Sequence, residues 1–106
     1  MEKMKEVRLT PHEIAEICAA FREFFLPQDQ LWLFGSRTDM TKKGGDIDLY
    51  IETAMNDAAA VVKARIKFAA TLDMTIGEQK IDIVIKFKDY ELPIYNIART
   101  EGVQLI

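Results

Sequence analysis

The chain has 106 residues and 12.1 kDa, with 14 Lys and Arg against 17 Asp and Glu, a formal net charge of −3 and a pI near 5.1. At 49% hydrophobic and 29% charged it lies outside the disordered class, its length predicts a single domain over residues 1–106 with one core, and its acidity argues against non-specific coating of nucleic acid. The single cysteine, Cys18, excludes an internal disulfide and fits a reducing, cytoplasmic compartment, and the N-terminal MEKMKEVR has no apolar core of an export signal, nor has any segment the length to span a membrane.

Thr10 and Glu13 have capping-box spacing and Pro11 suits the first helical position, so a helix is expected to start there. Ile14, Ile17, Cys18, Phe21, Phe24 and Phe25 then recur at steps of three and four until Pro27, the stripe of a core-facing helix. His12, the only histidine, reads as a solvated surface residue. Leu31 to Phe34 is a bulky run ended by Gly35, a buried strand. From Asp46 to Glu52 polar and apolar residues alternate, with Asp46, Asp48 and Tyr50 on one face and Ile47, Leu49 and Ile51 on the other.

A long helix is expected from about Asn56 to Gly77, with Ala58, Val62, Ile66, Ala69, Leu72 and Ile76 on its core face. Lys80 to Phe87 alternates again, with Ile81, Ile83, Ile85 and Phe87 opposite Asp82 and Val84. A last helix capped by Asp89 runs through Arg99 to Gly102, and the apolar tail Val103 to Ile106 can add an edge strand. The order αββαβα places a helical crossover between the second and third strands, as parallel neighbours require. The expected fold is α/β in the α+β sense: a three- or four-stranded mixed sheet with helices packed on it.

Asp46 and Asp48 are two residues apart on a strand, so their carboxylates point the same way, roughly 6.5 to 7 Å apart along the backbone. If the third strand lies beside the second, Asp82 joins them. Three neighbouring carboxylates resist joint ionisation unless a cation balances them, and hard oxygen donors without His or Cys suit Mg2+ or Mn2+ better than Zn2+. Gly35, Ser36 and Arg37 follow the first strand. The glycine allows close backbone approach, the serine offers a hydroxyl and a helix-turn cap, and the turn's N–H groups attract anions, with Arg37, Lys42 and Lys43 adding positive charge. Taken singly, each motif is also an ordinary tight turn, a solvated loop or the wet face of a strand. Together they describe a phosphate and metal site.

The stretches Leu33-Phe34-Gly35-Ser36-Arg37, Gly45-Asp46-Ile47-Asp48-Leu49 and Ile81-Asp82-Ile83-Val84 resemble the nucleotidyltransferase superfamily of the DNA polymerase beta type, and within it the minimal nucleotidyltransferase branch. The resemblance covers the chain from about residue 10 onward. It implies that Gly35 and Ser36, with Arg37, hold a nucleoside triphosphate such as ATP, and that Asp46, Asp48 and Asp82 bind two Mg2+ ions and carry catalysis. Where family members commonly have a second basic residue, a glycine and a serine, this chain has Asp39, Met40 and Gly45. The implied activity is transfer of a nucleoside monophosphate from the triphosphate to a hydroxyl, releasing pyrophosphate. The same resemblance implies a HEPN-domain partner in a toxin–antitoxin pair, a hetero- or homo-oligomer, with a tyrosine of that partner as acceptor. The other reading kept open is a non-catalytic antitoxin that neutralises its partner by complex formation. Ile94, Tyr95, Ile97, Val103, Leu105 and Ile106 are expected to serve the core before they serve an interface.

Overall fold

Thr10 starts the first helix as its spacing predicts. Its side chain accepts from the Glu13 N–H at 3.0 Å, and Glu13 Oε1 accepts from the Thr10 N–H at 2.9 Å, so two N–H groups that the helix itself leaves open are satisfied. The structure, a computed structural model, describes residues 9–35, 47–77, 79–88 and 90–106. Helix α1 spans Pro11–Phe24, with Ile17, Ala20 and Phe21 buried and Phe25 extended at its end. His12 is exposed, as expected.

The chain then enters β1 (Gln30–Phe34), which pairs antiparallel with β2 (Ile47–Glu52). Helix α2 (Ala58–Ile76) carries the chain across to β3 (Ile81–Lys86), which lies parallel to β2. Helix α3 (Pro93–Glu101) leads into β4 (Val103–Gln104), antiparallel to β1. The sheet order is β3-β2-β1-β4, so the fold is a small α+β arrangement of three helices and one four-stranded mixed sheet, in the expected order and compatible with a nucleotidyltransferase-like fold. The tail does become an edge strand, tied to Leu31 through Leu105 and Ile106 backbone hydrogen bonds of 2.8 to 3.2 Å. Among the described residues, no helix is long and apolar enough to cross a membrane.

Two features differ from expectation. The first is the orientation of α2. Its cap is Asp57, whose carboxylate accepts from the Ala60 N–H at 3.2 Å, and its core face is Val61, Ala64, Phe68 and Leu72. Of the expected face Leu72 is fully buried and Ala69 and Ile76 pack against the core, as expected, but Val62 and Ile66 are 55% and 62% exposed. The reason is Phe68, the largest side chain of the helix, which packs edge-on against Phe21 and Phe25 with ring centroids 6.2 and 5.7 Å away. Burying an aromatic ring contributes more than burying Val or Ala, so Phe68 sets the rotation of the helix.

The second concerns the sheet face that carries Asp48 and Tyr50. Ile47, Leu49 and Ile51 pack toward α1 and α2 as expected. Tyr50, expected on the polar face, is 0% exposed because α3 lies over it, and Trp32, Tyr50, Tyr95 and Ala98 form a second buried cluster. The Tyr50 ring lies 5.3 Å from that of Trp32 and 5.6 Å from that of Tyr95. Helix α3 itself begins at Pro93 after Leu92, with no side-chain cap; Asp89, expected as its cap, lies outside the described residues. Tyr95 and Val103 are buried, Leu105 and Ile106 pack against the core, and Ile97 stays exposed.

Candidate functional site

Strand register decides which side chains meet. Phe34 pairs with Asp48 across the antiparallel β1–β2 ladder, and Asp48 pairs with Asp82 across the parallel β2–β3 ladder. Neighbouring strands lie about 4.8 Å apart and partners in register share a face, so the Asp48 and Asp82 carboxylates stand side by side at one end of the sheet. The crossover through α2 is what makes this pairing, since the two aspartates are far apart in sequence. Asp82 is exposed and Asp48 half-buried. One step along the same face, Tyr50 pairs with Val84 and the surface turns apolar under α3.

Gly35 completes the described part of the site. It follows β1 directly, with φ of +79°, the left-handed region that favours glycine. A Cβ added there would collide with Asp48 Oδ2 and lie 3.0 Å from Asp48 Cγ. The Asp48 carboxylate therefore rests against the bare backbone of Gly35. Two of the three sequence motifs thus touch, and the third, Asp82, is the in-register neighbour. Ser36, Arg37 and Asp46, with Lys42, Lys43 and the rest of the Thr38 to Gly45 loop, lie outside the described residues.

Among the described residues no group of three or more His, Cys, Asp or Glu is gathered in one place. The donor chemistry that is described, two hard carboxylates in register, is of the type that suits Mg2+ or Mn2+ better than Zn2+. Cys18 is half-buried on α1, where burial pushes its thiol pKa up against the opposing charge of Arg22.

The opposite end of the same sheet face is built differently. The Tyr50 hydroxyl donates to Glu52 Oε2 at 2.7 Å, and Arg99 Nη1 of α3 donates to the same oxygen at 2.7 Å. Arg99 also reaches Glu91 Oε2 at 3.5 Å, and Lys86 Nζ, on the strand position paired with Glu52, donates to Glu91 Oε1 at 2.5 Å. Burial is the main cause that pushes the Tyr50 phenol well above its ordinary pKa, followed by its hydrogen bond to Glu52 and the charge of that carboxylate. Asp29, 3% exposed, is fully employed nearby: it accepts from the Leu26 N–H at 2.9 Å, the Thr53 hydroxyl at 2.6 Å and the Ala54 N–H at 2.8 Å. It staples the loop before β1 to the loop after β2. None of this network was read from the sequence. The alternation of Tyr50 and Glu52 with Asp48 was the available signal, but it does not say that a helix covers the far half of that face.

No protein-family model matches the chain, and no curated protein matches it significantly.

Proposed function

We propose that this chain is a Mg2+-dependent nucleotidyltransferase that moves a nucleoside monophosphate from a triphosphate, ATP first among them, to a hydroxyl acceptor. The observation that carries this reading is the in-register Asp48–Asp82 pair set against the side-chain-free backbone of Gly35. Asp46, Asp48 and Asp82 hold the cations, and Gly35, Ser36 and Arg37 cradle the triphosphate. A pair of Mg2+ or Mn2+ ions held there would supply charge neutralisation for the phosphates and would lower the pKa of the acceptor hydroxyl. Gly35 lets phosphate oxygens approach the main chain, and the N–H groups of its turn donate to them. Asp82, the exposed member of the pair, would take the acceptor's proton as its oxygen bonds to the α-phosphorus and the bond to pyrophosphate breaks.

The resemblance of the three motifs to minimal nucleotidyltransferases supports the choice of the α-phosphorus and of a HEPN-domain protein as partner and acceptor, within a cytoplasmic toxin–antitoxin pair. The test is transfer of α-phosphate label from ATP with Mg2+ in the protein purified with its partner from its own cells, wild type against Asp48→Asn. Label passing to a partner only with Asp48 intact is the expected result. A stable complex with bound nucleotide and no label in either protein overturns catalysis and leaves a binding antitoxin.

A further inference from the structure

Helix α2 carries two apolar stripes, and only one faces the core. Val61, Ala64, Phe68 and Leu72 are buried. The other stripe, Ala58, Val62 and Ile66 at steps of four with Ala59 beside it, lines a shallow concave surface open to solvent. Such an apolar patch on the outside of a helix costs solubility unless something covers it. We infer that this outward face is a docking surface for an amphipathic helix of a partner protein, one whose apolar stripe is flanked by carboxylates.

Charge identifies the occupant. Lys63 and Lys67 line the same concavity and Arg65 is exposed on the helix. Between Asp57 and Asp73 the helix has no acidic residue, although the whole chain carries −3. Glu23 of α1 shares an adjoining hollow with Lys63 and Lys67, but the three cations outnumber it and leave this rim positive on an acidic protein. Two copies meeting symmetrically through it would set these cations against their own duplicates, which disfavours a second copy as occupant. A bilayer is disfavoured by the side chains: helices that lie in lipid interfaces anchor through Trp, Phe or Leu, whereas Phe68 and Leu72 are turned into the core and the outward stripe holds only Ala, Val and Ile. Small alanines one turn before the pair Val62 and Ile66 instead leave the hollows into which ridges of a second helix pack, with lysines at the rim to pair with Glu or Asp. This inference uses α2 alone and stands apart from the reading of the carboxylate site.

The full chain is titrated into a fluorescent helical peptide of about 18 residues, five turns, with leucines at steps of three and four flanked by glutamates, and into the same peptide with lysines replacing the glutamates. The glutamate peptide is expected to bind at least about tenfold more tightly, a difference of about 1.4 kcal/mol, and to weaken as salt rises. Ile66→Asp, or Val62→Gln should the first variant fail to match the wild-type circular dichroism, lowers its affinity about tenfold. The double variant Lys63→Glu with Lys67→Glu reverses the preference between the peptides. Equal binding of both peptides, absence of saturable binding, or indifference to both apolar substitutions overturns the proposal. So does a dimer, or retention on phosphatidylglycerol vesicles, that wild type shows and Ile66→Asp loses, because the occupant is then a second copy or a bilayer.

Discussion

The two ends of one sheet face use carboxylates in opposite ways. At the end where Glu52 and Lys86 pair in register, oppositely charged or donor groups meet the carboxylates: Tyr50 and Arg99 on one oxygen of Glu52, Lys86 and Arg99 on Glu91, and three donors on the nearby buried Asp29. At the other end, Asp48 and Asp82 stand in register as like charges beside an exposed glycine turn. Matched groups fasten α3 and two loops to the sheet. Adjacent like charges oppose folding, and in the proposed function a cation would offset them. The same residue type is thus structural at one end and, in our reading, functional at the other, and neighbours in space decide which.

Exchanging the two roles by mutation breaks the comparison most sharply. Asp82→Asn and Asp48→Asn are expected to lower nucleotidyl transfer by about a thousandfold or more with circular dichroism unchanged, as read by label transfer. Tyr50→Ala, at the matched end, is expected to cost about 3 to 5 kcal/mol of stability in urea unfolding, because it empties the centre of the Trp32–Tyr50–Tyr95 cluster. Tyr50→Phe, which removes the bond to Glu52 and leaves the ring, should cost about 1 kcal/mol. Gly35→Ala forces a side chain into the left-handed region and against Asp48, for a loss of about 1 to 3 kcal/mol and slower transfer in the same assays.

Acid sharpens the contrast by the smallest effect. The Lys86 hydrogen bond holds the Glu91 carboxyl below its ordinary pKa, with the charges of Lys86 and Arg99 helping and desolvation opposing. A carboxyl whose folded pKa is depressed contributes stability above its unfolded pKa and loses it as pH falls through the folded value. Wild type should therefore lose slightly more stability than Lys86→Met on acidification through the carboxylate range, measured by urea midpoints at stepped pH. At the alkaline limit the sign reverses for Tyr50. Its raised phenol pKa contributes stability in full below the ordinary phenol value and loses it as pH climbs toward the folded one.

Much of this was legible in the sequence where the signal is local. Thr10, Pro11 and Glu13 mark a helix start by hydrogen-bond chemistry alone, and the alternation of Ile47, Leu49 and Ile51 marks a strand. The juxtaposition of Asp48 with Asp82 followed from one topological inference, that a helical crossover joins parallel neighbours. What escaped were choices made by packing. Periodicity shows that α2 has apolar residues at helical spacing but not which of two stripes meets Phe21 and Phe25. Tyr50 alternates with aspartates, yet α3 arrives from elsewhere in the chain to bury it. Asp29 reaches Thr53 and Ala54 across a long separation in sequence, and no short motif announces such a bond.

The most direct test of the division between the two ends is the thermal midpoint of the full chain with and without millimolar Mg2+, for wild type, Asp82→Asn and Glu52→Gln. A cation bound only by the folded state raises the midpoint. The account predicts that Mg2+ raises it in wild type and in Glu52→Gln and not in Asp82→Asn. A midpoint indifferent to Mg2+ in wild type, or raised equally in Asp82→Asn, contradicts it.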